Sequence, residues 1–327
     1  MNKRFAFTSA RWTKSVRPSD TSSAVMSRFD VGSALDCGKR DYQQDTLVAD
    51  FPAGDDYGIA VLADGMGGHQ GGEIASALAV GEAFAELKTR SILCRAQTED
   101  VTESLRSSVH RANTALADYL SNAPETRGMG TTLVACMTVG PDLYWASVGD
   151  SLLYLYRDGN LERLNADHSM APSIDAMVAT GMLDEEQALN HPQRNQLLSA
   201  ICGAEYKYLD CPDTPTRLKA GDILVMASDG LQTLSDADIC DCIEHFETAS
   251  AADISKGLLE TALNVEHPEQ DNISVIALKV ENDGAISEKS RTAQKGTTQK
   301  SQSSISKKTT DEDIEEASDL LNEAFFG

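Results

Sequence analysis

The sequence predicts an α+β fold in which two mainly antiparallel sheets pack together and helices cover their outer faces. Strands and helices come in blocks, without the regular alternation of a doubly wound parallel sheet. Turn dipeptides at 141–142 and 158–159 join consecutive strands, and strands joined this tightly are expected to pair in antiparallel fashion. Strands such as Ile223–Ala227 are apolar throughout and need cover on both faces, which two packed sheets with outer helices provide.

The elements follow one another in a simple order. An apolar run at 57–63 predicts a strand, and apolar residues at helical spacing predict helices at 74–87 and 101–120. A block of four strands comes next, and one more strand, two helices and a last strand complete the domain. These later elements are predicted at 131–139, 143–148, 152–156, 161–164, 223–227, 236–246, 250–264 and 273–280.

Two tails of different composition flank the domain, which we place at residues 29–282. Residues 1–28 carry six basic groups and one acid without an apolar period, which predicts a disordered basic arm, with an organellar transit peptide as the alternative. Residues 283–310 are rich in Ser, Thr, Gln and Lys, which predicts a polar disordered linker. Residues 311–327 predict an acidic amphipathic helix that either packs back on the domain or docks on a partner, and the sequence leaves both open.

The acidity of the chain belongs to the domain. With 28 Lys+Arg and 51 Asp+Glu the chain has a net charge of −23, and residues 29–282 alone hold 16 basic and 41 acidic side chains, a balance of −25. Nucleic acid and anionic membrane surfaces both need a basic face, so neither is expected as a partner. The seven cysteines lack zinc or disulfide spacing and no apolar run has the length of a membrane span, so we expect a cytoplasmic protein with reduced thiols.

Aspartates stand at the ends of the predicted strands. Asp64, Asp150 and Asp229 come just after strands, and Asp45 and Asp271 come just before apolar runs. Because the end of one antiparallel strand lies beside the start of the next, several of these carboxylates are expected at one sheet edge. Gathered carboxylates raise one another's pKa unless cations neutralise them, and oxygen ligands without His or Cys favour Mg²⁺ or Mn²⁺, or else Ca²⁺. Each aspartate alone is also a common turn residue, but five together favour a metal site.

Seven short motifs occur in order across about residues 29–281. Together they resemble the metal-dependent protein serine/threonine phosphatases of the type 2C (PPM) family, and the stretch at 191–198, HPQRNQLL, is similar to the bacterial branch. The motifs are RDYQQD at 40–45, ADGMGG at 63–68, MGTT at 129–132, VGDS at 148–151, DHS at 167–169, ASDGL at 227–231 and DN at 271–272.

The resemblance implies a four-layer α/β/β/α sandwich with a binuclear Mn²⁺ or Mg²⁺ site at one edge of its two central sheets. On the matching positions, Asp64 would bridge both ions and the Gly65 carbonyl would bind one of them. Asp229 and Asp271 would hold the other ion, and Asp45 would bind a metal directly or support another ligand. The reaction implied is hydrolysis of phosphoserine and phosphothreonine in proteins, by in-line attack of a water or hydroxide that bridges the ions, without a covalent phosphoenzyme.

Two further assignments come from the same resemblance. Arg40 would clamp the substrate phosphate, for which a guanidinium is well suited. Asp150 would hold a third, weaker metal ion together with Asp229, and the alternative for Asp150 is a turn residue. The partners implied are phosphorylated protein substrates of a serine/threonine kinase.

Three positions depart from the family pattern. Gln44 stands where Glu is frequent, Leu152 stands where an Arg usually follows Gly-Asp-Ser, and Met66 stands where some eukaryotic relatives have a His. His69 and His168 are close in sequence to the motifs, and we expect a hydrogen-bonded structural role for each. None of these changes removes a principal metal ligand, so an active enzyme is expected.

Residues 167–196 correspond to the flap that borders the active site in this family, and a mobile flap shaping substrate access is expected there, with a decorative insertion as the alternative. Two other functions remain open. Beside the leading interpretation of a phosphoprotein phosphatase, the alternatives are a weakly catalytic module that binds phosphoproteins and an enzyme for a small phosphorylated metabolite. The retained aspartates argue against the first, and the motifs do not exclude the second.

Overall fold

The structure is a computed structural model that describes residues 28–281, except 53–54, 56, 68–70 and 96–99. The predicted linker and C-terminal helix lie outside the described residues, and so does the predicted basic arm apart from Arg28. In chain order, the strands are β1 (Arg28–Asp36), β2 (Asp45–Asp50), β3 (Tyr57–Met66), β4 (Gly130–Thr131), β5 (Leu133–Val139), β6 (Asp142–Val148), β7 (Leu152–Arg157), β8 (Asn160–Arg163), β9 (Thr216–Arg217), β10 (Ile223–Ala227) and β11 (Ile273–Glu281). The helices are α1 (Gly71–Arg95), α2 (Val101–Asn122), α3 (Ala171–Ala179), α4 (Glu185–Leu189), α5 (Asp236–His245) and α6 (Ala251–Asn264).

Two antiparallel sheets form the centre of the domain. The first has the strand order β1-β11-β10-β7-β8, and the second has the order β2-β3-β5-β6-β9, with the short β4 paired to the end of β3. Apolar side chains from both sheets, among them Leu62, Leu153 and Ile276, make a shared core between them. Each sheet is therefore buried on its inner face, as the continuous apolar strands predict.

Helices cover both outer faces of this pair of sheets. Leu87 of α1 and Leu105 of α2 belong to the core on the outside of the second sheet. Ile239 of α5 and Leu258 of α6 belong to the core on the outside of the first sheet. The layer order is thus helix, sheet, sheet, helix, as predicted.

The strand β1 and the flap helices α3 and α4 are not foreseen in the sequence. Within β1, Phe29 packs against the core between the sheets, while Asp30 accepts a hydrogen bond from Ala251 N at 2.7 Å and so anchors the start of α6. The strand mixes apolar, charged and small residues, and it pairs with β11 along its whole length. Long-range pairing, which local composition does not reveal, makes this segment a strand.

The strands joined by the turns at 141–142 and 158–159 pair in antiparallel fashion as predicted, whereas β6 and β7, which follow each other just as closely, do not pair. β6 lies in the second sheet and β7 in the first, so the chain crosses between the sheets at residues 149–151. Gly149 allows this crossing because its φ is +106°, and a Cβ there would lie 2.6 Å from Thr132 Cγ2. The crossing places Asp150 at the edge that the two sheets share. Within the described part of the chain, no helix has the length and apolarity needed to cross a bilayer.

Candidate metal centre

The structure brings the five predicted aspartates to one edge of the sandwich. Asp45 and Asp64 face each other as register partners on β2 and β3 of the second sheet. Asp229 begins a short 3₁₀ helix (Asp229–Thr233) two residues after β10, and Asp271 precedes β11 by two residues, so both belong to the first sheet. Asp150, in the crossing between the sheets, completes the group. The five aspartates therefore lie where the two sheets meet. Strand order alone predicted the edge of one sheet, whereas the family resemblance implied an edge of both central sheets.

Burial and mutual repulsion raise the pKa values of these carboxyls. Removal from water raises the pKa of Asp45 to about 6 and that of Asp150 to about 7, and the charge of Asp229 adds to both shifts. Burial also raises the pKa of Asp64 well above its usual value, with the charges of Asp229, Asp45 and Asp150 acting in the same direction. The pKa of Asp229 is raised by burial and by the charge of Asp271. Without a cation, this edge holds more negative charge than its surroundings stabilise.

One carboxylate oxygen at this edge lacks a partner. Asp45 Oδ2 accepts a hydrogen bond from Ser228 Oγ at 2.7 Å, while the buried Asp45 Oδ1 receives no well-formed hydrogen bond from any described residue. The Ser274 hydroxyl lies near this carboxylate and helps to lower its pKa, but its Oγ makes no regular hydrogen bond. A buried, unpartnered carboxylate oxygen is costly unless a cation lies beside it. The donor set therefore fits a hard divalent cation, which prefers oxygen ligands.

The protein side chains do not enclose a cation on their own. Among the described residues, no three His, Cys, Asp or Glu side chains form a closed metal-binding group. Water and backbone oxygen would have to complete the coordination, and Mg²⁺ in particular keeps several waters in such sites.

The backbone at Gly65 approaches α1 closely. Gly65 N donates to Gln44 O at 3.1 Å, and a Cβ on Gly65 would lie 2.1 Å from Gly72 O. In the same way, a Cβ on Gly72 would lie 2.7 Å from Gly65 O. Only glycine fits at either position, because any side chain would push the end of β3 away from the first turn of α1.

Hydroxyl groups hold the main chain of Asp64. Thr132 Oγ1 accepts from Asp64 N at 2.9 Å, and Thr131 Oγ1 donates to Asp64 O at 2.7 Å. Thr132 Oγ1 also lies 2.8 Å from Ser151 Oγ, which follows Asp150. The sequence motif at 129–132 signals these threonines, but only the fold shows that they fasten two of the aspartate segments together.

Asn272 organises the loop that carries Arg40, a role that sequence reasoning missed. Its Oδ1 accepts from Gln44 N at 2.8 Å, and its Nδ2 donates to Cys37 O and Tyr42 O, each at 3.0 Å. Asn272 is buried, so these bonds define the loop conformation with little competition from water. The signal in the sequence is an amide directly after the aspartate that precedes β11.

Arg40 lies at the exposed rim of the site. Its Nη2 donates to Asp271 Oδ2 at 2.6 Å, and its side chain is 58% exposed. The guanidinium predicted to clamp phosphate is therefore next to a predicted metal ligand, with most of its surface free to meet a substrate.

The structure shows what surrounds Leu152, which departs from the family pattern, and His168. Leu152 is buried in the core between the first sheet and its helices. The ionic contact near Asp150 comes instead from Arg163 of β8, whose Nη2 donates to Asp150 O at 2.8 Å and whose Nη1 lies 3.1 Å from Asp167 Oδ2. His168 is buried, its Nδ1 accepts from Gly149 N at 3.2 Å, and burial lowers its pKa, so the imidazole supports the crossing loop. His69 lies outside the described residues.

A groove of about 910 Å³ opens beside Asp229 and Asp271. The flap contributes Leu189 and Arg194 to its lining, and the opposite wall is formed by residues 265–270. Arg194 makes a two-pronged ion pair with Asp175 of α3, at 2.6 and 3.2 Å, which fastens the end of the flap to its first helix. The groove is large enough for a peptide segment and reaches the carboxylate cluster.

The chain is similar in sequence to known proteins. Residues 37–264 match the family model described as Protein phosphatase 2C. The serine/threonine protein phosphatase PstP of Mycobacterium tuberculosis is 34% identical over 223 residues, which cover 68% of this chain and 40% of that protein. The chain thus spans less than half the length of this relative.

Solved structures share the fold. The crystal structure of the Mycobacterium tuberculosis serine/threonine phosphatase PstP/Ppp has a TM-score of 0.65 and 31% identity, covering 78% of this chain and 99% of the solved one. A structure of the PstP catalytic domain in complex with two manganese ions has a TM-score of 0.61 and 30% identity, with coverage of 78% and 99%. These similarities confirm the predicted fold.

Proposed function

The chain belongs to the protein phosphatase 2C family, and on that basis we propose that it is a Mn²⁺- or Mg²⁺-dependent phosphatase that hydrolyses phosphoserine and phosphothreonine in proteins. The names of its relatives and the two manganese ions in the PstP catalytic domain support this proposal. The observation that supports it most is the cluster of aspartates with raised pKa values at the edge shared by the two sheets, beside an arginine and an open groove.

In this proposal the aspartates are ligands of different metal ions. Asp64 and the Gly65 carbonyl would hold one cation, while Asp64, Asp229 and Asp271 would hold another. Asp45 would support the site through its unpartnered oxygen, and Asp150 would hold a third, weaker cation together with Asp229. When bound, divalent cations lower the pKa of water and offset the charge of a phosphoryl group.

Other residues of the chain act on the substrate. Arg40 binds phosphate oxygens through its exposed guanidinium, which is planar and presents several donors. The groove beside Asp229 and Asp271 holds the peptide that carries the phosphate, between the flap and residues 265–270. We expect water to be the nucleophile, so no covalent phosphoenzyme forms.

The proposal extends to partners and location. The substrates are proteins phosphorylated by a serine/threonine kinase. For the helix predicted at 311–327, which lies outside the described residues, packing on the domain and docking on a partner both stay open. The cytoplasm is the proposed compartment, because all seven cysteines are free thiols and several of them are buried.

One experiment tests the proposal. Purified full-length protein is incubated with a phosphothreonine peptide and with increasing Mn²⁺, and phosphate release is compared with a chelator present. Asp64→Asn is measured beside Asp142→Asn, which removes a half-buried carboxylate at the far end of β6 that pairs with Arg217. We expect hydrolysis that requires Mn²⁺, loss of at least about 100-fold in Asp64→Asn, and no loss in Asp142→Asn.

Three outcomes would overturn parts of the proposal. Hydrolysis that continues in chelator, or that survives Asp64→Asn, would refute the metal-dependent mechanism. Peptide binding without hydrolysis would favour the binding module. Hydrolysis of small phosphorylated metabolites without hydrolysis of any phosphopeptide would show that the substrates are metabolites and not proteins.

A further inference from the structure

Gln270 lies beside the metal centre but is not one of its charged residues. It directly precedes Asp271 and is only 3% exposed. Its side chain reaches the 3₁₀ helix at Asp229–Thr233, which begins with another predicted metal ligand. This single amide therefore lies between the segments that carry Asp229 and Asp271.

The amide of Gln270 bridges both ends of that short helix. Its Nε2 donates to Gly230 O at 2.9 Å, and its Oε1 accepts from Thr233 Oγ1 at 2.8 Å. The first bond is buried and the second is partly buried, so both constrain geometry more than an exposed bond does. A helix of one turn has few internal hydrogen bonds, and these two external bonds help to define where it sits relative to residues 270–271.

The main chain of Gln270 is held from the other side. Lys39 N donates to Gln270 O at 2.8 Å. A Cβ on Gly38 would lie 2.7 Å from Gln270 O and 2.3 Å from Asp271 O, so the loop before Arg40 packs directly on this backbone. The backbone of Gln270 is thus fixed to the Arg40 loop, and its side chain is fixed to the Asp229 helix.

Only an amide of this length meets both demands. Glu has the same length but offers no donor for Gly230 O when ionised, and it would add negative charge among carboxylates. Met has a similar volume but supplies neither bond. The requirement for a donor and an acceptor at the same point explains glutamine here.

We infer that Gln270 is a positioning residue that sets the distance between Asp229 and Asp271 and thereby the affinity of the site for divalent cations. The inference rests on the proposed function, since it assumes that these two aspartates bind a cation. Residues that orient metal ligands typically change metal affinity 10- to 100-fold when replaced.

The test measures Mn²⁺ binding to the full-length protein by titration calorimetry. The variants are Gln270→Met, Thr233→Val and the double variant. Gln270→Met is expected to weaken Mn²⁺ binding at least about 10-fold. Thr233→Val removes one of the two bonds, together with the longer contact of the same hydroxyl to Gly230 O at 3.1 Å, and is expected to weaken binding less. The double variant should bind no more weakly than Gln270→Met, because the shorter bond of the Thr233 hydroxyl is the one to Gln270.

The matched control is Asn113→Leu. Asn113 on α2 also bridges two backbone groups, donating to Ala204 O at 2.7 Å and accepting from Gly203 N at 2.9 Å, but it lies outside the metal centre. Its loss should lower the thermal unfolding midpoint and leave Mn²⁺ affinity unchanged. A residue with a purely structural role would behave like this control.

Several results would overturn the inference. One is a folded Gln270→Met variant whose Mn²⁺ affinity lies within twofold of wild type. Another is a double variant whose loss of Mn²⁺ affinity equals the product of the losses in the two single variants. If Gln270→Met does not fold, Thr233→Val decides alone, and unchanged Mn²⁺ affinity in it refutes the inference. Phosphopeptide hydrolysis by the wild type is scored separately, so a protein that binds Mn²⁺ but hydrolyses nothing refutes the proposed function and still tests Gln270. A wild type that binds no Mn²⁺ refutes both.

Discussion

The Arg40 guanidinium donates a hydrogen bond to Asp271 Oδ2 at 2.6 Å, which joins the predicted phosphate clamp to a predicted metal ligand. The two groups come from opposite ends of the domain sequence and meet because β1 and β11 are neighbours. In this arrangement the arginine partly neutralises the carboxylate, and a cation bound at Asp271 would release the guanidinium toward a substrate phosphate. Under the proposed function, metal binding and phosphate binding would thus be linked through one ion pair.

Removing the guanidinium should separate these two effects. In Arg40→Ala, Mn²⁺ binding should become tighter by up to about fivefold, because an exposed ion pair is worth about 0.2–1 kcal/mol and no longer competes for Asp271. The KM for a phosphothreonine peptide should rise at least about tenfold, because charge-assisted hydrogen bonds to phosphate are lost. Calorimetry and steady-state kinetics measure the two quantities. Weaker Mn²⁺ binding in Arg40→Ala would contradict the competition.

The raised pKa values predict how the metal-free protein responds to pH. The pKa is about 6 for Asp45 and about 7 for Asp150, against 3.8 for an ordinary aspartate, so between about pH 4 and pH 7 the folded state holds more protons than the unfolded state. The free energy of unfolding of the metal-free protein should therefore fall as pH rises through this window. Bound Mn²⁺ replaces those protons, so the stabilisation by Mn²⁺ should grow with pH.

Urea unfolding at pH 5, 6, 7 and 8, with chelator and with Mn²⁺, measures both trends. Asp150→Asn should flatten the pH dependence of the chelated protein, because it removes one of the shifted groups. Metal-free stability that increases from pH 5 to pH 7 would show that other groups dominate.

Gly149 should be hard to replace because of its place in the crossing between the sheets. Gly149→Ala combines the strain of a positive φ, about 1–2 kcal/mol, with a contact 2.6 Å from Thr132 Cγ2, where overpacking adds about 1–3 kcal/mol. Gly159→Ala is the matched control, since Gly159 also has a positive φ, +78°, but has open space around it. Chemical denaturation should show the larger loss of stability for Gly149→Ala. Equal losses would mean that the crossing relaxes freely around a methyl group.

The acidity of the domain predicts an electrostatic preference among substrates. Residues 29–282 carry a balance of −25, so a phosphopeptide with basic residues should associate faster at low salt. The charges that line the groove balance, since three basic side chains and three carboxylates face it: Lys39, Arg40, Arg194, Asp229, Glu269 and Asp271. We therefore expect the attraction at peptide positions outside the groove. Adding Arg several residues from the phosphothreonine should raise kcat/KM several-fold at about 20 mM salt and little at 500 mM. A kcat/KM that is unchanged by Arg at low salt would refute this preference.

Local sequence patterns predict much of the fold. The apolar strands 57–63, 223–227 and 273–280 coincide with the central strands, since they are buried on both faces and their composition leaves few alternatives. The strand β1 escapes detection because its apolar residues are interrupted by small and charged ones, and only pairing with β11 makes it a strand. The flap helices α3 and α4 escape for a similar reason, since each is short and mostly exposed.

The sequence by itself determined the family, the two-sheet architecture with outer helices and the identity of the candidate carboxylates, because strand-end aspartates and ordered motifs are local features of the chain. Only the tertiary structure decided that Asp150 reaches the site through a crossing between sheets, that Arg40 pairs with Asp271, and that the buried amide of Gln270 joins two ligand segments. Each of these depends on contacts between residues far apart in the chain. Such contacts are set by packing and buried hydrogen bonds, which leave no periodic signal in the sequence.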